Sequence, residues 1–291
     1  MKTWTKGSLM GLGLVGTGGA LALWRGVARW KSKTLGMIEQ LEAAALTSEP
    51  ATVSFKGFDA LPAPVARYFR ASLKEGQPFI RMARMQQQGE FWMNGKWIPF
   101  TSQQYFSATP SGMVWDADMR MNPLLNVRVR DAYVAGQGSI QVKLLALITV
   151  VNEQGGAELK AGALQRYLAE AVWLPTALLP SDHLQWSAID EQRALATLTD
   201  SGLSVSLEFR FNDSGEIISF YTPGRYYRAD DGSNVLQPWA GYQRAYEERS
   251  GMRIPLEGGV EWQLPNGRLP YCKLKIVGIE YEFARLDVAC L

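Results

Sequence analysis

In Met113-Val-Trp-Asp-Ala-Asp-Met-Arg-Met-Asn-Pro-Leu-Leu-Asn-Val-Arg-Val-Arg130, two runs of regular alternation flank a proline. Trp115, Ala117, Met119 and Met121 interleave with Asp116, Asp118 and Arg120; beyond the proline, Leu125, Val127 and Val129 interleave with Asn126, Arg128 and Arg130. A period of two sends neighbouring side chains to opposite faces of a strand, so each run has one apolar and one charged face. A turn centred on Pro123 sets Asp118 against Arg128, Asp116 against Arg130 and Met119 against Val127. Cross-strand pairs of this kind contribute about 0.2–1 kcal/mol each and fix the register.

The same grammar extends in both directions. Asn94-Gly95, between Phe91-Trp-Met93 and Trp97-Ile98, is a two-residue hairpin signal, and Asn266-Gly267 is another. Ser204 to Phe211 alternates with Val205, Leu207, Phe209 and Phe211 on one face. Cys272, Leu274 and Ile276 hand over to Ile279, Tyr281 and Phe283, and the change of phase at Val277-Gly278 predicts a bulge. Leu144 to Val151, eight residues apolar except for Thr149, reads as a buried strand in preference to the lip of a cavity. Two helices interrupt the strands. Val65, Tyr68, Phe69 and Leu73 share a face after Leu61-Pro-Ala-Pro, and Leu164, Tyr167, Leu168, Ala171 and Val172 repeat at helical spacing before Pro175. With no βαβ rhythm, these elements predict an α+β fold: a strongly curved antiparallel sheet, a half-barrel, packed around one or two helices.

The N-terminal region has a different character. Lys2 and Lys6 precede Gly7 to Trp24, which carries no charge, and Arg25, Arg29, Lys31 and Lys33 follow it. A helix over that segment is about 27 Å long, close to the hydrocarbon thickness of a bilayer. An uncleaved signal anchor is the leading reading, ahead of a cleaved signal peptide ending near Ala20-Leu-Ala22 and an apolar arm packed into the fold. Gly11-x-Gly13-x-x-Gly16 matches a dinucleotide fingerprint in text only, because no strand precedes it. The chain divides into 1–33, the anchor or signal segment; 34–54, a helical linker; and 55–291, the β-rich body.

Composition narrows the function classes. The chain has 30 Lys+Arg and 28 Asp+Glu, and residues 1–33 contain six of the basic residues and no acid. The body is therefore mildly acidic, which argues against a nucleic-acid surface. His183 is the single histidine, and Cys272 and Cys290 are the only cysteines, so multi-histidine and cysteine-rich metal sites are excluded and no cofactor is implied.

Candidates for chemistry are sparse. Asp116 and Asp118 share a strand face, as acid-base catalysis would require, but arginines opposite them favour structural ion pairs. His183 precedes a strand, a position where histidine is usually structural. A binding cavity would draw on Trp115, Leu144, Leu147, Tyr167, Trp173, Tyr227 and Trp239 to hold an apolar body, with Arg225 for an anionic head.

Leu61-Pro-Ala-Pro-Val-Ala-Arg-Tyr-Phe69, Gly112-Met-Val-Trp-Asp-Ala117, Arg166 to Pro180 and Gly251-Met-Arg-Ile-Pro255 resemble a bacterial family known only as a domain of unknown function. The resemblance spans about residues 55 to 285 and implies no activity. The strand-rich layout also resembles lipoprotein-carrier half-barrels of the LolA/LolB type, in which a curved sheet wraps helices around an apolar cavity. That likeness is architectural and transfers no binding residue. The expectation is a membrane-tethered binding or carrier domain for a lipid or other amphiphile, its body extracytoplasmic and the bilayer its neighbour. A membrane-associated hydrolase and a non-enzymatic assembly factor that docks a partner protein are the alternatives.

Overall fold

The computed structural model describes residues 7–46, 51–93, 95–122, 125–229 and 231–284, with side chains of the first helix described from residue 19 onward. The chain opens with helix α1 (Gly7–Ala45), a 3₁₀ turn (Phe58–Ala60) and helix α2 (Ala63–Ser72). Six strands follow: β1 (Ile80–Met93), β2 (Lys96–Ser107), β3 (Gly112–Asn122), β4 (Leu125–Val134), β5 (Gln137–Leu144) and β6 (Ile148–Gln154). Helix α3 (Ala157–Glu170) runs into two 3₁₀ turns (Ala171–Trp173, Pro175–Leu178). Seven more strands complete the fold: β7 (Leu184–Ala188), β8 (Arg193–Asp200), β9 (Leu203–Phe211), β10 (Ile217–Arg228), β11 (Asn234–Arg249), β12 (Met252–Leu264) and β13 (Gly267–Phe283).

All thirteen strands form one curled antiparallel sheet in the order β6-β5-β4-β3-β2-β1-β13-β12-β11-β10-β9-β8-β7. The two meanders are joined where β13 lies on β1, which leaves β6 and β7 as the edges. Helix α3 packs on β4 and β5 from one meander and on β9 and β10 from the other. The inner face buries Tyr68 and Phe69 of α2, Leu164 and Leu168 of α3, and Phe106, Phe209 and Phe211 of the sheet in one closed core. A second apolar cluster, with Phe100, Trp115 and Met119, lies nearer the β1–β2, β3–β4 and β5–β6 hairpin tips.

The alternating hairpin pairs as its sequence directs: Met119 with Val127, Asp118 with Arg128 and Asp116 with Arg130. Pro123 and Leu124 lie outside the described residues. The bulge expected at Val277-Gly278 is present, since Gln86 pairs with Gly278 while Gln87 pairs with Ile276. Two expectations are corrected. Leu264 pairs with Gly267, so Pro265 and Asn266 are the corners of the last hairpin, one residue earlier than Asn266-Gly267. The apolar run Leu144 to Val151 is a hairpin turn and not one buried strand, because Leu145 and Ala146 both take positive φ and the chain reverses between β5 and β6.

Helix α1 is 39 residues long and runs without a break through residue 33. Its C-terminal half lies on the outer, charged face of the sheet. There Ile38, Leu41 and Ala45 meet Met82, Val114 and Ala132. The expected membrane segment is helical from Gly7, while Lys2, Lys6 and the side chains before residue 19 lie outside the described residues. Among the described residues, no helix is long and apolar enough to cross a membrane.

Candidate functional site

A cavity of about 370 Å³ separates the closed core from the hairpin tips. Its deep wall is aromatic, made by the buried Trp115, Trp173 and Trp239. Toward the tips it is lined by half-buried Phe91, Met93 and Val142. A pocket of this size with apolar walls and few polar groups has the form of a small-molecule site. Gly258 also lines it, and a Cβ there would lie 3.2 Å from the Tyr242 carbonyl oxygen, close enough that backbone would have to shift.

The polar groups of the cavity form a belt across its base. Arg166 of α3 donates from Nη1 to Asp131 (2.6 Å) and from Nε to Glu170 (2.9 Å), and its guanidinium lies 4.8 Å from the Trp115 ring centre. Glu170 also accepts from Gln104 Nε2 (2.6 Å), and Gln104 Oε1 accepts in turn from Gln87 Nε2 (2.7 Å). Gln87 Oε1 accepts from Ser102 and from the Trp115 indole, at 2.8 and 2.9 Å. Burial alone would lower the pKa of Arg166, but Glu170 and Asp131 outweigh it and hold the guanidinium above its ordinary value. Arg166 is thus a fully satisfied, permanently charged strut.

Arg225 differs. It lines the same cavity from β10 with its guanidinium 4.0 Å from the Trp239 ring centre, yet its Nη1 is buried without a hydrogen-bond partner. It forms no ion pair among the described residues. Burial pulls its pKa below the ordinary arginine value, and the Tyr271, Asp131 and Glu170 charges only partly restore it. A guanidinium remains protonated under such a shift. The cavity therefore holds, against an aromatic wall, a guanidinium whose charge is balanced only at longer range by the second carboxylate of the belt and whose Nη1 has no direct partner. Cys272 is a free thiol on the lining, with its pKa pushed up to about 12 by burial. Cys290 lies outside the described residues.

Of the residues expected to bind ligand, Trp115, Trp173, Arg225 and Trp239 line the cavity together. Tyr167 is in the closed core, donating to the Ser107 and Ala108 carbonyl oxygens. Leu144 packs beside the cavity in the second cluster, Tyr227 stacks edge-on to Trp262, and Leu147 is exposed on the β5–β6 turn. The candidate acids are elsewhere. Both oxygens of Asp116 accept from Trp30 Nε1 (2.9 Å each), and Oδ2 also accepts from Thr34, on the outer face under α1. Asp118 bonds Arg128 and Asn126 on the same outer face, and His183 is exposed before β7. These three groups are not brought together with the cavity. Among the described residues, no group of three metal-ligating side chains is assembled.

The belt was missed from sequence although signals for it exist. Asp131 interrupts the inward series Val127, Val129, Tyr133, and Gln87 interrupts Met85, Gly89, Phe91. Arg166 and Glu170 stand four apart on a helix, the spacing of an intrahelical ion pair.

No curated protein matches the chain. Three solved structures are similar to the chain, each at a TM-score below 0.4. A DUF1329 family protein from Desulfovibrio piger is 10% identical, with 81% of this chain and 94% of that one covered and a TM-score of 0.39. A putative outer membrane lipoprotein-sorting protein domain from Vibrio parahaemolyticus is 9% identical, with 80% and 94% covered and a TM-score of 0.39. A LolA superfamily protein from Nitrosomonas europaea is 7% identical, with 75% and 92% covered and a TM-score of 0.38. At these values no residue or role is carried across. The family model of DUF6920, a family of unknown function, matches residues 59–281, and the chain belongs to that family.

Proposed function

We propose that the protein is a membrane-tethered binding or carrier domain that holds the apolar part of a lipid or other amphiphile in the half-barrel cavity. Arg225 engages the anionic head. The observation that carries this reading is the contrast between two arginines in one cavity: Arg166 is neutralised by Asp131 and Glu170, whereas Arg225 has a buried, unpartnered Nη1 beside an apolar chamber. A buried charge without a partner is costly, and a carboxylate or phosphate that supplies one gains a charge-assisted bond as it binds. The tether is the uncharged segment Gly7 to Trp24, and the body lies outside the cytoplasm. A reporter fused after Leu291 tests that orientation.

Titration with a fluorescent fatty acid and with the matching fluorescent alcohol tests the ligand class. The fatty acid is expected to bind more tightly than the alcohol, and the preference is expected to vanish in Arg225→Met. Equal binding of the two probes to the unaltered protein would remove the anionic head from the account, and no binding of either would remove the cavity's role.

A further inference from the structure

The β5–β6 turn is built from residues poorly suited to it. Leu147 N donates to Leu144 O (2.9 Å), which places Leu145 and Ala146 at the corners with φ of 51° and 58°. Hairpin turns with both corners left-handed normally use Asn or Gly, because a Cβ is disfavoured there. Here the corner is held by α1. Ala146 is buried, and a Cβ on Gly26 would lie 2.9 Å from the Ala146 carbonyl oxygen and 2.8 Å from Leu147 Cδ2. Helix and turn touch where the helix has no side chain. Strain retained by such a contact marks a segment whose position matters.

The contact joins two exposed apolar surfaces. On the N-terminal side of Gly26, the helix presents Leu21, Leu23 and Trp24 to solvent; the turn presents Leu147, Ile148 and Val150. Ile148 pairs with Leu144 and shares its inner face with Val142, which lines the cavity. The apolar surface thus runs from α1, over the turn, to Val142 on the cavity lining. In sequence the helix leads back into the uncharged segment that starts at Gly7, and exposed Arg25 and Arg29 border the patch. At the neighbouring β1–β2 tip, Trp92 and Trp97 meet edge to face, with ring centres 5.4 Å apart. Tryptophan beside apolar residues and arginine is the composition of a membrane interface.

We infer that this end of the molecule docks on a bilayer: the β5–β6 turn sits in the interface beside α1, and the apolar surface links the lipid to the cavity lining. The inference rests on the tethering part of the reading above and is independent of which ligand the cavity holds. A partner protein would not account for the continuity of the patch with an uncharged helical segment and its basic border.

The test uses the full-length chain reconstituted with vesicles of phosphatidylcholine and phosphatidylglycerol. A photoreactive benzophenone amino acid replaces Trp24, Ile148, Val150 or Ile189 in turn. Ile189 is the control: it is also exposed, but it lies between β7 and β8, at the end of the sheet nearest α2. After irradiation, lipid adducts are expected at 24, 148 and 150 at several times the yield at 189. Adducts at 24 with only the control yield at 148 and 150 would overturn the docking of the turn and leave the tether standing. Control yield at all of them would overturn both. Lipid retained by the cavity in detergent is scored separately and bears on neither outcome.

Discussion

Arg225 and Arg166 separate what holds this fold from what serves a ligand. Replacing Arg166 leaves Asp131 and Glu170 as buried, unpaired carboxylates, so Arg166→Met is expected to lose about 3–5 kcal/mol of stability in denaturant titrations. Arg225→Met exchanges a cation without a direct partner for an apolar chain of similar length. It is expected to leave stability unchanged or raised while weakening anionic amphiphile binding by about 1.5–3 kcal/mol, roughly 10- to 150-fold in Kd. Cys272 gives an independent check on the dryness of the wall. With its pKa pushed up to about 12, its thiolate fraction at pH 8 falls about a thousandfold below that of a free thiol, and iodoacetamide labelling in a Cys290→Ser background should slow accordingly. The folded state holds this proton more tightly than the unfolded state. The contribution is complete below the ordinary thiol range near 9 and is lost as pH rises toward 12. At this scale the sequence displayed residue types but not their partners. Arg225 and Arg166 look alike in text, and only the absence of a hydrogen-bonded acid on Arg225 marks it.

Among the elements, α1 was legible as a helix but not as part of the body. Its clasp joins residues far apart in the chain: the Trp30 indole and Thr34 hydroxyl donate to Asp116, and Arg130 donates to the Trp30 carbonyl oxygen (3.1 Å) and to Thr34 (2.9 Å) while stacking 4.4 Å from the Trp30 ring centre. Asp116→Ala removes the acceptor of the Trp30 indole and the Thr34 hydroxyl, and the carboxylate charge that faces the buried Arg130 guanidinium. About 1–3 kcal/mol should be lost locally, seen as faster amide exchange across residues 30–45 while β1 and β13 remain protected. Retained protection in that half of α1 would show that the apolar contacts suffice. The β3–β4 hairpin was readable because its charges alternate with its apolar residues. The β5–β6 turn was not, because Leu145-Ala146 carries none of the Gly or Asn that announces such a corner. A third element, β12, offers a way to close the cavity. Gly258→Leu adds a side chain to the cavity wall and is expected to abolish ligand uptake at a cost of about 1–3 kcal/mol in stability, because its Cβ crowds the Tyr242 carbonyl oxygen; thermal unfolding alongside binding separates the two.

For the molecule as a whole, local alternation established that the sheet is antiparallel and curved, but not how it is joined. The pairing of β1 with β13 brings Phe91 beside Cys272, a contact of high sequence separation that no local pattern encodes. The cavity depends on that closure, since its walls come from both meanders and from α3. The central claim is that this chamber holds an anionic amphiphile. Native mass spectrometry of the gently extracted full-length protein addresses it directly, alongside Arg225→Met and Gly258→Leu. The account expects the unaltered protein to carry one amphiphile with an acidic head, Arg225→Met to carry less of it, and Gly258→Leu to be empty. An unaltered protein that emerges without ligand, and takes up none when an anionic amphiphile is added back, would contradict it.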